Sequence, residues 1–134
     1  MKVTRIYTGP DDEAYLEDLE VDFDASGPGG HSASFPVERL FFRRFPEHHE
    51  VDYHVGPRRQ WVMVVSGVME IECKSGIRRF LPGEVLFVDD LTGRGHITRN
   101  ISGAWLLAYM PTPPGFDYSA LLRHRVRTVA GGPA

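Results

Sequence analysis

The stretch from Arg59 to Asn100, RQWVMVVSGVMEIECKSGIRRFLPGEVLFVDDLTGRGHITRN, decides the fold. It holds five short runs rich in β-branched and aromatic residues. They are broken at Ser66-Gly67, Lys74-Ser75-Gly76, Pro82-Gly83 and Thr92-Gly93, residues that adopt tight-turn dihedrals at little cost. The intervals leave no room for the crossover helix that parallel strands need, so the runs read as antiparallel strands of a small all-β domain.

Working outward, the same pattern continues on both sides. The strands expected are Val37 to Phe45, Val51 to Val55, Arg59 to Val65, Val68 to Cys73, Ile77 to Leu81, Val85 to Val88, Gly95 to Ile101 and Ala104 to Tyr109. Together they form a barrel core over about residues 37–110. A short helix is expected over Tyr118 to His124, after the turn at Pro111 to Gly115. Asp22 to Ser34, built on Gly27-Pro28-Gly29-Gly30, reads as a flexible loop, and 130–134 as a disordered tail. The N-terminal MKVTRIY alternates with period two, placing Val3, Arg5 and Tyr7 opposite Lys2, Thr4 and Ile6. It is expected to cover an open sheet edge, in its own chain or in a neighbour's.

At 134 residues and 42% hydrophobic composition, the chain supports one domain, 1–134, and not two. A net charge of −3, with arginines dispersed among carboxylates, argues against nucleic acid as a partner. No run of about 18 apolar residues is present and the N-terminus lacks an export-type segment, so no membrane partner and a cytoplasmic location are expected. Cys73 is the single cysteine, which excludes an intramolecular disulfide, and its alternation with Met69 and Ile71 points to an inert core position. A homodimer is expected, because one of Phe41 and Phe42 must face away from the lumen and is better buried against a second copy.

Alternation also selects the residues with chemical potential. His96, Thr98 and Asn100 share one face of their strand, with Ile97 and Arg99 on the other, and Gln60 shares a face with Val62 and Val64. If Gln60 points inward, so does Arg58, at the barrel mouth, where a guanidinium suits a carboxylate or phosphate. Arg59 then points outward. Asp89 and Asp90 read as an exposed turn. His48 and His49 are neighbours whose side chains point to opposite faces, and His31 and His124 carry no independent signal.

The segments HHEVDYHVGPRRQWVMVVSG (48–67) and GEVLFVDDLTGRGHITRN (83–100) resemble the two motifs of the cupin superfamily, G-x5-H-x-H-x3-E-x6-G and G-x5-P-x-G-x2-H-x3-N. His54 falls on the first histidine, Gly67 on the turn glycine, and Gly93, His96 and Asn100 on the second motif. The departures are His48 for the opening glycine, Gly56 for the second histidine, Gln60 for the glutamate and Leu91 for the proline, with Gly83 two residues upstream of its place. The resemblance implies a small jelly-roll barrel holding a divalent transition metal, here by His54, His96 and Gln60, and restoring Gly56→His with Gln60→Glu is expected to raise its affinity. Arg58, Gln60, Thr98 and Asn100 are the expected ligand-binding residues. Three readings follow: a metal-dependent enzyme of oxygenase, isomerase or lyase type, a non-enzymatic small-molecule binder or sensor, and a metal-free enzyme with His54 or His96 as general base.

Overall fold

The computed structural model describes residues 1–25 and 28–131. Eleven strands and one helix follow in order: β1 (Lys2–Thr8), β2 (Ala14–Val21), β3 (Phe41–Phe45), β4 (Glu50–His54), β5 (Gln60–Ser66), β6 (Met69–Cys73), β7 (Gly76–Phe80), β8 (Val85–Asp89), β9 (His96–Asn100), β10 (Trp105–Pro111), α1 (Tyr118–Leu122) and β11 (Val126–Gly131). They form a seven-stranded sheet, β11-β2-β1-β8-β5-β10-β3, and a four-stranded sheet, β4-β9-β6-β7. This is the all-β jelly-roll class with a short C-terminal helix. The sheets face each other as a sandwich, and no strand pairing among the described residues joins them into a closed cylinder.

Alternation sorts the side chains into two cores. Between the sheets lie Ile6, Leu16, Val62, Val64, Leu86, Val88, Trp105 and Leu107 from the large sheet against Met69, Ile71, Cys73 and Phe80 from the small one. On the outer face of the large sheet, Val3, Leu19, Trp61, Phe87 and Val126 are covered by α1 and the segment before it, through Phe116, Ala120 and Leu121. The large sheet is therefore buried on both faces, which is why β5 reads as apolar throughout. Burial pushes the Cys73 thiol pKa up, in keeping with a packed, unreactive position.

Outside the barrel core the structure differs from the expectations. MKVTRIY does form a strand, but β1 lies inside the large sheet, parallel to β8 and antiparallel to β2, so it covers no outer edge. The edges of that sheet are β11 and β3. The acidic segment AYLEDLEV is a strand whose charges are matched: Glu17 accepts from Arg5 at 2.6 Å and Asp18 from Arg78 at 2.6 Å. Ala130 and Gly131, expected in the tail, pair with Asp18 and Glu17, while 132–134 lie outside the described residues. The expected loop 22–34 is closed by a bridge between Asp24 and His31, and its residues 26 and 27 are likewise outside the described set. The strand expected from Val37 begins only at Phe41, with Phe42 turned outward and 59% exposed.

A buried ion cluster fixes the helix to the sheet. Arg5 reaches Glu17 at 2.6 Å and Asp89 at 2.6 Å, Arg59 reaches the other Asp89 oxygen at 2.7 Å, and the Arg5 guanidinium lies 3.7 Å from the Tyr118 ring centre. Arg59 thus points outward as alternation requires. Among the described residues no helix is long and apolar enough to cross a membrane.

Candidate functional site

One end of the space between the sheets is unfilled. It forms a cavity of about 410 Å³, within the range of about 300–1,000 Å³ seen for small-molecule pockets. The small sheet contributes Val51, His54, His96 and Thr98, and the large sheet Gln60, Val62, Leu86, Val88, Trp105, Leu107 and Tyr109. Edge strand β3 adds Phe41, Arg43 and Phe45 on its inner face, and the β4–β5 connection adds Gly56 and Arg58.

The two histidines are brought together by strand register. His54 at the end of β4 pairs with His96 at the start of β9, and their rings lie 4.5 Å apart, centre to centre, at 55°. That approach needs the glycine before His96. Gly95 sits at φ +76°, and a Cβ there would stand 1.9 Å from the His54 carbonyl oxygen. Gly56 is required for a different reason: a Cβ would meet Val88 Cγ1 at 2.4 Å and Asp90 Oδ1 at 3.3 Å. Its N–H donates to the Asp90 carbonyl at 2.9 Å.

Both imidazoles are oriented through Nδ1. His96 Nδ1 lies 2.5 Å from Asp90 Oδ2, and His54 Nδ1 lies 2.9 Å from the Asp52 carbonyl oxygen. A carbonyl only accepts, so His54 carries its proton on Nδ1 when neutral and presents a lone pair at Nε2. An Nδ1–H donated to Asp90 gives His96 the same tautomer. The His54 pKa is held below the ordinary 6.5, chiefly by burial, with the nearby His96 adding to the effect and the Asp52 carbonyl opposing it.

Asp90 was expected on an exposed turn and is instead fully buried, with Oδ1 lacking a hydrogen-bond partner among the described residues. Gln60 is 3% exposed and its Oε1 is likewise unpartnered among the described residues. An unpaired buried oxygen costs about 1–3 kcal/mol, so Gln60 Oε1, in the cavity lining, marks a place where a further donor is accommodated.

Of the remaining expected residues, Thr98 and Arg58 line the cavity and Asn100 does not. Asn100 shares the face of His96, but it stands at the strand end. There its amide donates to Pro46 and Gly103 carbonyls at 3.0 Å each, and its Oδ1 accepts from Ser102 N and Oγ at 3.0 Å. Its polar capacity is spent on the turn. Arg43, which sequence reasoning passed over, lines the cavity because β3 pairs Arg43 with Leu107 on the inner face. The period-two alternation of FFRRF placed it there, on the same face as Phe41 and Phe45.

The metal-ligand set that the motif resemblance implies is only partly present. Among the described residues no three His, Cys, Asp or Glu side chains converge to hold an ion. The missing histidine cannot be accommodated at Gly56 without displacing Val88. What remains is a neutral set, His54 Nε2, His96 Nε2 and Gln60 Oε1. Its histidines have the Nδ1 partners, a carboxylate and a backbone carbonyl, that metal-bound histidines commonly have. These residues do not make the four-ligand site of the motif.

No protein-family model and no curated protein sequence matches the chain. Among solved structures it is similar to KdgF from a Halomonas species, at 19% identity over 72% of this chain and 91% of that one, with a TM-score of 0.40. It is also similar to an RmlC-like cupin from Shewanella frigidimarina, at 18% identity over 73% and 90% of the two chains, with a TM-score of 0.40. A sugar phosphate isomerase of the cupin superfamily from Silicibacter pomeroyi is similar at 17% identity over 85% and 72%, with a TM-score of 0.43. The chain thus has two facing β-sheets of jelly-roll class with a cavity between them, and His54 and His96 side by side at that cavity.

Proposed function

We propose that the chain binds a small molecule in the inter-sheet cavity and exchanges a proton with it through His96 and His54. The observation that carries this reading is the row Asp90, His96, His54, whose two rings line the cavity, with Gln60 Oε1 in the same lining and unpartnered among the described residues. Asp90 holds His96 by Nδ1 and stabilises the imidazolium that forms when Nε2 takes a proton. His54, kept neutral at pH 7 by burial, is the second base, or the acid once protonated by the ligand. Gln60 Oε1 accepts a hydroxyl or amino hydrogen of the ligand and fixes its orientation. The apolar wall from Val62, Leu86, Val88 and Leu107 excludes water from the same space. An isomerase or lyase step begun by proton abstraction suits this set.

The test is a ligand screen by thermal shift on wild type and on the His54→Ala, His96→Ala double variant. A ligand at about 100 times its Kd adds about 2.7 kcal/mol of stability. Hits that stabilise the wild type and not the double variant support the reading, and hits that stabilise both equally refute it. Turnover of a hit, lost in Asp90→Asn, separates the enzyme from a non-enzymatic binder using the same cavity.

A second reading is favoured by the Nδ1 partners of both histidines. On this reading a divalent transition metal would be held by His54, His96 and Gln60, where it would act as a Lewis acid on a ligand oxygen. Metal analysis of protein purified without chelator tests it. A stoichiometric ion that disappears in the double histidine variant supports it, and an ion that persists there refutes it.

A further inference from the structure

The fixed charges lining the cavity, those of its two arginines, are of one sign. Its lining includes Arg43 and Arg58 and three histidines, His49, His54 and His96, and no aspartate or glutamate. Asp90, the nearest carboxylate, stands behind His96 and is engaged with its Nδ1. Arg59, one residue along, is held by Asp89, whereas Arg43 and Arg58 form no ion pair among the described residues. Arg43 lies with its guanidinium 4.6 Å from the Phe45 ring centre and 5.8 Å from that of Tyr109. This stacking orients the guanidinium, which also lies beside the Tyr109 hydroxyl. Between these cations and the histidines the wall is aromatic and aliphatic, from Phe41, Trp105, Tyr109 and Leu107.

We propose that the ligand of this cavity is a small organic carboxylate on an aromatic or apolar body, gripped at the mouth by Arg58 and Arg43. The inference rests on the cavity-binding reading above and adds the chemical class of the ligand. A planar carboxylate matches the guanidinium fork bidentately, and its body replaces water against the apolar wall. Phosphate esters, more strongly hydrated and doubly charged, lose more on entering that wall. The unpartnered, 3% exposed Gln60 Oε1 is the independent sign that a ligand group belongs deeper in the same space.

The competing account is that Arg43 and Arg58, both exposed, are solvated side chains. Matched probes decide between the two. Benzoate, its neutral isostere benzamide, and phenyl phosphate are titrated at millimolar concentration while the NMR signals of Val62 and Leu107 are followed. Charge-assisted hydrogen bonds at a partly screened mouth predict that benzoate binds roughly tenfold more tightly than benzamide. In Arg58→Gln and Arg43→Gln that preference falls by roughly threefold to tenfold, while benzamide binding is retained.

Equal binding of benzoate and benzamide, or a preference unchanged in both arginine variants, overturns the carboxylate assignment and leaves cavity binding standing. Tighter binding of phenyl phosphate than of benzoate also overturns it. No shift of the cavity signals with any of the three probes overturns it too, and cavity binding itself is then judged by the neutral compounds of the thermal-shift screen.

Discussion

Replacing Gly95 by alanine tests the local geometry that creates the histidine pair. The residue holds φ +76°, where an alanine costs about 1–2 kcal/mol relative to ordinary backbone. The new Cβ would also stand 1.9 Å from the His54 carbonyl oxygen, where real Cβ contacts stay at 3.0 Å or more. One strand end must therefore retreat by the difference, 1.1 Å, and the atoms in the way are backbone. Pushing β9 from β4 weakens their terminal pairing and separates rings that now lie 4.5 Å apart. The combined cost is roughly 2–4 kcal/mol, which at this chain length lowers Tm by about 7–14 °C. Gly83→Ala is the control, because it has φ +89° with nothing within 4 Å of the added Cβ. It pays the dihedral cost alone. Urea and thermal melts of the two variants give the difference. If Gly95→Ala is no more destabilising than Gly83→Ala, the tight approach of His54 and Gly95 is wrong, and with it the placement of the rings.

Three further outcomes follow from particular contacts. Because the folded pKa of His54 lies below 6.5, the unfolded chain binds more protons just below that pH, and this group's contribution is complete above 6.5 and lost on acidification. The stability of the wild type should accordingly fall more steeply below pH 6.5 than that of His54→Gln, as read by urea midpoints across pH. Arg5→Ala leaves Glu17 buried without its cation and removes the ring contact to Tyr118, so a loss of about 3 kcal/mol in urea denaturation is expected, with faster amide exchange in α1. Gly56→His with Gln60→Glu, the substitution that would complete the family motif, should destabilise by about 1–3 kcal/mol and bring no calorimetric gain in nickel or zinc affinity, because the side chain at 56 meets Val88.

The contrast between what the sequence disclosed and what it hid has physical causes. His54 and His96 were legible because period-two alternation and motif spacing both place them inward, and the register delivers them face to face. β2 was hidden because AYLEDLEV looks solvated until its acids are matched with Arg5 and Arg78, partners 12 and 60 residues away. β11 was hidden for a related reason, since a run ending in alanine and glycine carries no strand signal and is held by pairing with β2. Asp90 reads like any loop acid, and only the folded chain places its oxygen on His96. Asn100 misled in the other direction: alternation gave its face correctly, but a turn just beyond the strand claims its amide.

The central claim is that the ligand sits between the sheets beside His54 and His96. Methyl-selective NMR during titration with a hit from the thermal-shift screen addresses it most directly, because the two cores supply separate reporters. Binding in the cavity predicts saturable shifts of Val62, Ile71, Leu86, Val88 and Leu107, with Leu19, Leu121 and Val126 on the outer face of the large sheet unmoved. A second hollow on that outer face is lined by Val3, Val21, Val37 and Val85. Shifts confined to that group, with the cavity methyls still, would contradict the account.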